Sequence, residues 1–191
     1  MTASFPRKKP RGWKRRMREL DRWAAGSAAL SPDEVRSDYQ SVEVWFERWP
    51  WPFPVGVRRR MVQHLVDVHD RWHAQLKTWG EPYYLGIWLF EPEFKGSQVC
   101  ATAGWRAAEY LQRHDPARRS PPPRLYDGHP RDLRRFEWTS WVHTERERLS
   151  GYDRADWPLL LRRARSVERT GDDVELTFEH RAWYGRLADG A

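Results

Sequence analysis

The sequence has one cysteine, Cys100, among its 191 residues. A lone thiol excludes a disulfide within the chain and a cysteine-rich zinc site. Long apolar stretches are also missing, since the longest run, Tyr83 to Phe90, has eight residues, far below the roughly 20 that span a membrane. No apolar segment follows the basic N-terminus, so a secretory signal is not indicated. We therefore expect a soluble cytoplasmic protein that makes no membrane contact.

Acidic side chains are absent from residues 1–18, which contain eight basic ones: Arg7, Lys8, Lys9, Arg11, Lys14, Arg15, Arg16 and Arg18. The other 173 residues carry 26 basic and 27 acidic side chains, so the net charge of +7 belongs to this segment. A concentrated positive field attracts polyanions. The sequence therefore predicts contacts from all eight residues to RNA or DNA backbone, without sequence specificity because no base-reading motif is present. A solvated tail or a segment that pairs with an acidic protein remains an alternative.

Apolar spacing predicts the main helices. One helix is expected from Arg11 to about Gly26, with a single apolar stripe formed by Trp13, Met17, Leu20 and Ala24. A longer helix is expected from Val57 to Lys77, with a stripe formed by Met61, Leu65, Val68, Trp72 and Leu76. Capping signals predict shorter helices after Ser31 and after Asp156, and Trp105 to His114 has a helical pattern.

Alternation and turn residues predict an antiparallel sheet. Strands are expected at Val42 to Trp49, Tyr83 to Phe90, Ser97 to Ala103 and Phe136 to Thr144. The second and third of these strands are expected to form a hairpin. A further hairpin is expected to join Ser166–Arg169 to Val174–Glu179. The fold class is therefore α+β, with two N-terminal helices packed on a mostly antiparallel sheet of four to six strands. Residues 1–10 are predicted to be a disordered basic arm, and 11–187 a single domain with a proline-rich surface loop at 116–130.

Thirteen tryptophans need an explanation, and most are expected in the core, including Trp23, Trp72, Trp88 and Trp138. The segment Trp49-Pro50-Trp51-Pro52-Phe53-Pro54 differs, because alternating aromatics on a proline-stiffened chain cannot all point into one core. Trp49, Trp51 and Phe53 are therefore predicted to form an exposed aromatic patch of the kind that anchors a protein partner.

Catalytic motifs are scarce, so an enzyme is the least favoured hypothesis. His69 and His73 lie four residues apart on one helix face and could share a metal, but a third ligand would have to come from elsewhere. Glu93-Phe94-Lys95 has the Glu-x-Lys spacing of metal-dependent nucleases, yet it follows Pro92 in a turn. Cys100 is expected to be a buried thiol. The phosphate loops and the nucleophile elbow are absent, and no cofactor is indicated.

The segment Arg11-Gly12-Trp13-Lys14-Arg15-Arg16 carries a resemblance. Over about residues 11–105, the chain resembles a bacterial domain-of-unknown-function family of small proteins that open with a basic R-G-x-x-R-R helix. The resemblance implies no activity, so it assigns no catalytic residue. Some small proteins of this kind act as immunity proteins, and a protein that neutralises a partner toxin through the aromatic patch is therefore the alternative function. A metal-dependent hydrolase or nuclease is the second alternative.

Overall fold

The computed structural model describes residues 13–26, 29–44, 55–91, 94, 96–107, 109, 119–123 and 133–187. Within these residues it has four helices: α1 (Trp13–Gly26), α2 (Pro32–Ser37), α3 (Val55–Trp79) and α4 (Trp157–Arg163). It has seven strands there: β1 (Gln40–Glu43), β2 (Tyr83–Glu91), β3 (Gln98–Ala103), β4 (Arg119–Ser120), β5 (Phe136–Arg148), β6 (Ser166–Thr170) and β7 (Asp173–Leu187). Short 3-10 turns cover Gly104–Arg106 and Leu149–Gly151.

The two helices expected near the N-terminus are present. In α1, Leu20 and Ala24 are buried and Met17 packs against the core, which confirms the predicted stripe at these positions. Before α2, the Ser31 side chain accepts a hydrogen bond from the Glu34 backbone N–H at 3.5 Å, and Pro32 occupies the first turn. This is the cap that the sequence predicts, and it fixes where α2 begins.

Helix α3 is the central packing element. All five residues of its predicted stripe are at most 1% exposed: Met61, Leu65, Val68, Trp72 and Leu76. The helix ends before Gly80, whose φ of +68° is the left-handed conformation that glycine adopts without strain. Among the helices that the structure describes, none has the length and apolar content to cross a membrane.

The sheet is antiparallel throughout its described pairs, in the order β1-β3-β2-β7-β5-β4, and β6 pairs with β7. One face of β2 and β7 places Ile87, Leu89 and Trp183 against α3 in the main core. On the opposite face, Tyr84 and Tyr184 stack with ring centroids 5.9 Å apart. Both tyrosines close over Gly86, where a Cβ atom would lie 2.4 Å from the Tyr184 ring. Glycine is therefore required there by space rather than by backbone conformation.

Strands β5 and β7 continue beyond the helices as a long ribbon. Their register runs without interruption from Phe136 opposite Leu187 to Arg148 opposite Glu175. At the far end, β6 and α4 cover a small second core that contains Leu149, Leu160, Leu176 and Phe178. This far end is called the distal ribbon below.

The α+β class and the antiparallel sheet are as predicted, but the strand count is larger than four to six. The additional short strand β4 lies inside the predicted proline-rich loop at 116–130 and pairs with Thr139 and Trp138 of β5. The first strand begins at Gln40 rather than Val42 and ends at Glu43, although Val44 still bonds Ser97 through its backbone. Asp156 precedes α4 but makes no side-chain cap, so the capping prediction was wrong.

Candidate polyanion-binding surface

The predicted basic residues that the structure describes lie on the exposed side of α1. Lys14, Arg15 and Arg18 are all exposed. Arg15 approaches Glu19 at 4.0 Å, and neither Lys14 nor Arg18 makes an ion pair with any described carboxylate. Arg16 lies on α1, but its side chain is outside the described residues, as are the whole of Arg7, Lys8, Lys9 and Arg11. For those five residues, contact with a polyanion stays a prediction.

Helix α1 packs beside the first half of α3 through a polar contact. Asp21 Oδ1 accepts from Arg60 Nε at 3.0 Å and from Arg60 Nη2 at 2.7 Å, and it lies 3.1 Å from His64 Nε2. Further along, Arg71 Nη2 donates to the Ala24 carbonyl at 3.2 Å, which satisfies a carbonyl in the last turn of α1. Asp21 contacts Arg60, and Ala24, one turn later in α1, contacts Arg71, later in α3. The two helices therefore run in the same direction, and the early turns of α1 lie toward the start of α3.

Asp21 is the acidic member of this contact. Burial alone would raise the pKa of its carboxyl, but hydrogen bonds from Arg60 and His64 and their electrostatic attraction outweigh that effect, so the pKa is below its usual value. The carboxylate is therefore charged at neutral pH and neutralises Arg60 locally.

The exposed cations of α1 lie beside the arginines at the start of α3, with Asp21 at the contact between the two helices, and we call this set of cations the α1–α3 cationic surface. Lys14, Arg18 and Asp21 are spaced by four and three residues, which places them along one side of α1. Through Asp21 this side adjoins α3. The surface consists of Lys14, Arg15, Arg18, Arg22, Arg59 and Arg60. Beside it, a depression of about 390 Å³ is lined by Gly56, Arg59, Arg60, Gln63, His64 and Asp67.

The histidine pair of α3 forms a separate cluster against the sheet. The rings of His69 and His73 lie on one face, as predicted, and stack with centroids 6.0 Å apart. His69 is 1% exposed, and its Nδ1 lies 3.3 Å from Asp70 Oδ1. Arg135 Nη2 donates to both oxygens of Asp70, at 2.9 and 2.8 Å. The Tyr83 hydroxyl lies 3.2 Å from His73 Nδ1.

Burial decides the charge of these rings. It lowers the pKa of His69 by disfavouring the imidazolium; nearby Asp70 opposes this shift, and Arg135 adds to it. Burial also lowers the pKa of His73, and the neighbouring charge of Lys77 acts in the same direction. Both rings are therefore neutral at neutral pH. Across the part of the chain that the structure describes, no three His, Cys, Asp or Glu side chains converge as metal ligands. We therefore interpret the cluster as packing that joins α3 to β2 and β5.

The remaining candidates fall into two groups. The residues of the predicted aromatic patch, Trp49, Trp51 and Phe53, lie outside the described residues, as do Glu93 and Lys95, so the protein-partner and nuclease hypotheses stay predictions. Cys100 is buried as predicted, and burial, with a contribution from Glu43, raises the pKa of its thiol to about 12. It is therefore an uncharged and unreactive group.

Of the four tryptophans predicted for the core, Trp72 and Trp138 are fully buried, and Trp23 and Trp88 are partly buried. Trp72 and Trp138 are core residues at 1% and 2% exposure. Trp88 is half-buried on the sheet face away from α3, where its ring lies 5.5 Å from that of Trp141. Trp105, in the 3-10 turn, is the most exposed at 74%, and the guanidinium of Arg106 lies over its ring. None of these belongs to the cationic surface.

The contribution of α3 to the cationic surface was missed by the sequence analysis. The available signal was the run Arg58-Arg59-Arg60 at the start of α3, with Arg59 and Arg60 on the side of the helix away from Met61 and Leu65. The partnership of Arg60 with Asp21 has no such signal, because the two residues are 39 positions apart. A scan against protein-family models and searches of curated proteins and of solved structures find no match to this chain.

Proposed function

We propose that this protein binds polyanions, with the phosphate backbone of DNA or RNA as its main ligand, through the α1–α3 cationic surface and the basic segment that precedes it. The observation that carries the proposal is the availability of Lys14 and Arg18, which are exposed and make no ion pair with a described carboxylate; Arg15 is exposed beside them, with Glu19 at 4.0 Å. Cations held in internal ion pairs would have to break them before they meet phosphate. Lys14 and Arg18 have none to break among the described residues, and Arg15 has only the long contact with Glu19.

The distribution of charge supports the same function. Beyond residue 18 the chain has a net charge of −1, so a polyanion is attracted to one end of the molecule rather than to the whole of it. Side chains on the outside of helices, with long flexible stems, suit contacts to phosphate oxygens. Such contacts set affinity and orientation without reading bases, which agrees with binding that has no sequence preference.

The proposal is tested by the salt dependence of DNA binding. Each lost phosphate contact on duplex DNA reduces the slope of log affinity against log salt by about 0.9. Replacing Lys14, Arg15 and Arg18 together by glutamine therefore reduces that slope by about 2.7. Fluorescence anisotropy with a short labelled duplex, repeated over a range of salt concentrations, measures the slope directly.

A matched control separates local contact from overall charge. Arg148, Arg162 and Arg169 are exposed residues of the distal ribbon, and replacing them by glutamine changes the net charge by the same amount. We expect this control to retain the slope of the unmodified protein, with circular dichroism showing that both variants fold. Equal reductions of the slope in the two triple variants would mean that only net charge matters, and the proposed surface would be wrong.

A further inference from the structure

The outer edge of β5 is the longest open strand edge in the part of the sheet that the structure describes. Strand β5 has 13 residues, and β4 pairs with two of them, Trp138 and Thr139. Over residues 140–148, β5 pairs with β7 on one side, and no described strand pairs with it on the other side. The side chains of residues 141–146 are exposed, so this edge can be reached from outside the molecule.

The hydrogen-bonding pattern of the ribbon shows which backbone groups of β5 face outward. The N–H of Arg165 donates to the Thr177 carbonyl at 2.7 Å, so Thr177 turns its backbone groups toward β6 and away from β5. Successive residues of a strand turn these groups to opposite edges, so the even-numbered residues of β7 bond to β5, and their partners there are odd-numbered. The outward N–H and C=O groups of β5 therefore belong to Ser140, Val142, Thr144, Arg146 and Arg148.

This edge lacks the features that commonly protect an exposed strand from pairing. Native proteins often place lysine, proline or a β-bulge on such an edge. Residues 140–148 contain no lysine and no proline, and their register against β7 runs without a bulge. Their charged side chains have both signs, since Glu145 and Glu147 alternate with Arg146 and Arg148. The edge can therefore accept another strand through its backbone.

The sequence of the edge complements itself. When two identical strands pair around a twofold axis, one residue faces its own copy and the others pair symmetrically around it. An axis at Thr144 places His143 opposite Glu145 of the second copy, where the imidazole can hydrogen-bond the carboxylate. It also places Val142 opposite Arg146 of the second copy, whose aliphatic stem can cover the 48% exposed valine. Thr144 has its backbone groups turned outward, as a residue on this axis requires.

Other registers are less favourable. An axis at Glu145 or at Arg146 would place two like charges directly opposite each other. An axis nearer the start of β5 would shorten the ladder, because Trp138 and Thr139 are already paired with β4. The axis at Thr144 uses all of residues 140–148. Glu145 also lies 3.4 Å from His180 of its own chain, but a carboxylate has two oxygens and can accept from both histidines.

We propose that the outer edge of β5 pairs with the same edge of a second copy of this chain, which forms a symmetric homodimer with its twofold axis at Thr144. The two sheets then join into one. The pairing uses no residue of the α1–α3 cationic surface, so it goes beyond the proposed function and does not depend on it.

A charge substitution and its exchange test the register. His143→Glu places a carboxylate opposite Glu145 of the second copy at two symmetric positions, and we expect the dissociation constant of the dimer to rise roughly tenfold. Combining His143→Glu with Glu145→His restores an opposite pair in the same register and should restore the dissociation constant. Thr170→Glu is the control, because it adds the same negative charge at an exposed position of β6. Sedimentation equilibrium over a range of protein concentrations measures the constant, and circular dichroism shows whether each variant folds.

Cross-linking locates the axis without relying on charge. Cys100 is buried, so a cysteine introduced on the edge is the accessible thiol. Thr144→Cys should form a disulfide with its own copy in the presence of oxidised glutathione, because paired Cα atoms across an antiparallel ladder are about 5.5 Å apart. Arg148→Cys is the control, because in this register it faces Ser140 of the second copy and lies roughly 27 Å from its own copy.

The expected result is a dimer that His143→Glu weakens, that Thr170→Glu leaves unchanged, and that Thr144→Cys cross-links more readily than Arg148→Cys does. A chain that is monomeric at every protein concentration would overturn the proposal. Equal cross-linking through the two cysteine variants, or a dimer that His143→Glu does not weaken, would also show that the edge of β5 does not pair in this way.

Discussion

Gly86 and Gly56 allow the same substitution to be made at a closed position and at an open one. At Gly86, the methyl group of alanine would stand 2.4 Å from Tyr184 Cε2 and 2.9 Å from the Tyr84 hydroxyl oxygen. Both tyrosines are buried, and Tyr184 also lies 4.8 Å from the Trp88 ring, so the rings have little room to move away. At Gly56, the methyl group would meet nothing within 4 Å.

The expected changes in the free energy of unfolding therefore have opposite signs. Overpacking at Gly86 costs about 3 kcal/mol, and the smaller backbone entropy of alanine in the unfolded chain offsets about 0.7 kcal/mol of that. We expect Gly86→Ala to be destabilised by about 2 kcal/mol, which lowers Tm by about 4 to 8 °C for a chain of this size. Gly56→Ala should be stabilised by about 0.7 kcal/mol, because alanine is the better helix former.

Urea unfolding followed by tryptophan fluorescence measures both variants, and equal m values would show that they unfold from comparable states. If Gly86→Ala proved as stable as Gly56→Ala, the tyrosine stack over β2 would not be closed as described. The packing assigned to that face of the sheet would then be wrong.

Two further predictions concern charge. Asp21→Asn should bind DNA more tightly and increase the salt slope by about 0.9, because it frees Arg60 for contact with phosphate. The free energy of unfolding should decrease by less than about 1 kcal/mol. Weaker binding in the anisotropy titration would contradict the neutralising role of Asp21. The lowered pKa of His69 means that the unfolded chain binds a proton more readily than the folded protein does below about pH 6.5. The contribution of neutral His69 to the free energy of unfolding should therefore be complete above that pH. It should be lost as the solution is acidified through the pKa that His69 has in the folded protein. Urea unfolding at pH 7 and pH 5 should show that the free energy of unfolding falls less on acidification in His69→Gln than in the unmodified protein. The fall that remains in the variant is due in part to His73. An identical fall in the two proteins would show that His69 is not the group responsible.

The elements that local pattern determines were predictable from the sequence. Helix α3 was predicted to within two residues at each end, because its stripe of buried residues is long and Gly80 stops it. The hairpin of β6 and β7 was predicted because Gly171, at a φ of +64°, supplies the turn. In each case one short segment contains both the apolar pattern and the terminating residue.

Features that depend on distant partners were not predictable. The end of β5 is exposed from Trp141 to Arg146, so no alternation of apolar and polar residues reveals that its pairing with β7 continues to Arg148. Strand β4 has only two residues and exists because β5 offers it an edge. At the candidate site, the charge of α1 was visible in the sequence. The arginine run at the start of α3 was visible as well, but its position beside α1 was not, because that depends on which side of α3 faces Asp21.

The most direct measurement of the central claim is a map of where DNA touches the protein. In a titration of the isotope-labelled chain with a short duplex, backbone amide resonances of α1 and of the first three turns of α3 should shift at low salt and return as salt is added. Resonances of β6 and α4 should stay where they are. Shifts confined to the distal ribbon, or spread evenly over the molecule, would contradict the assignment of polyanion binding to the α1–α3 cationic surface.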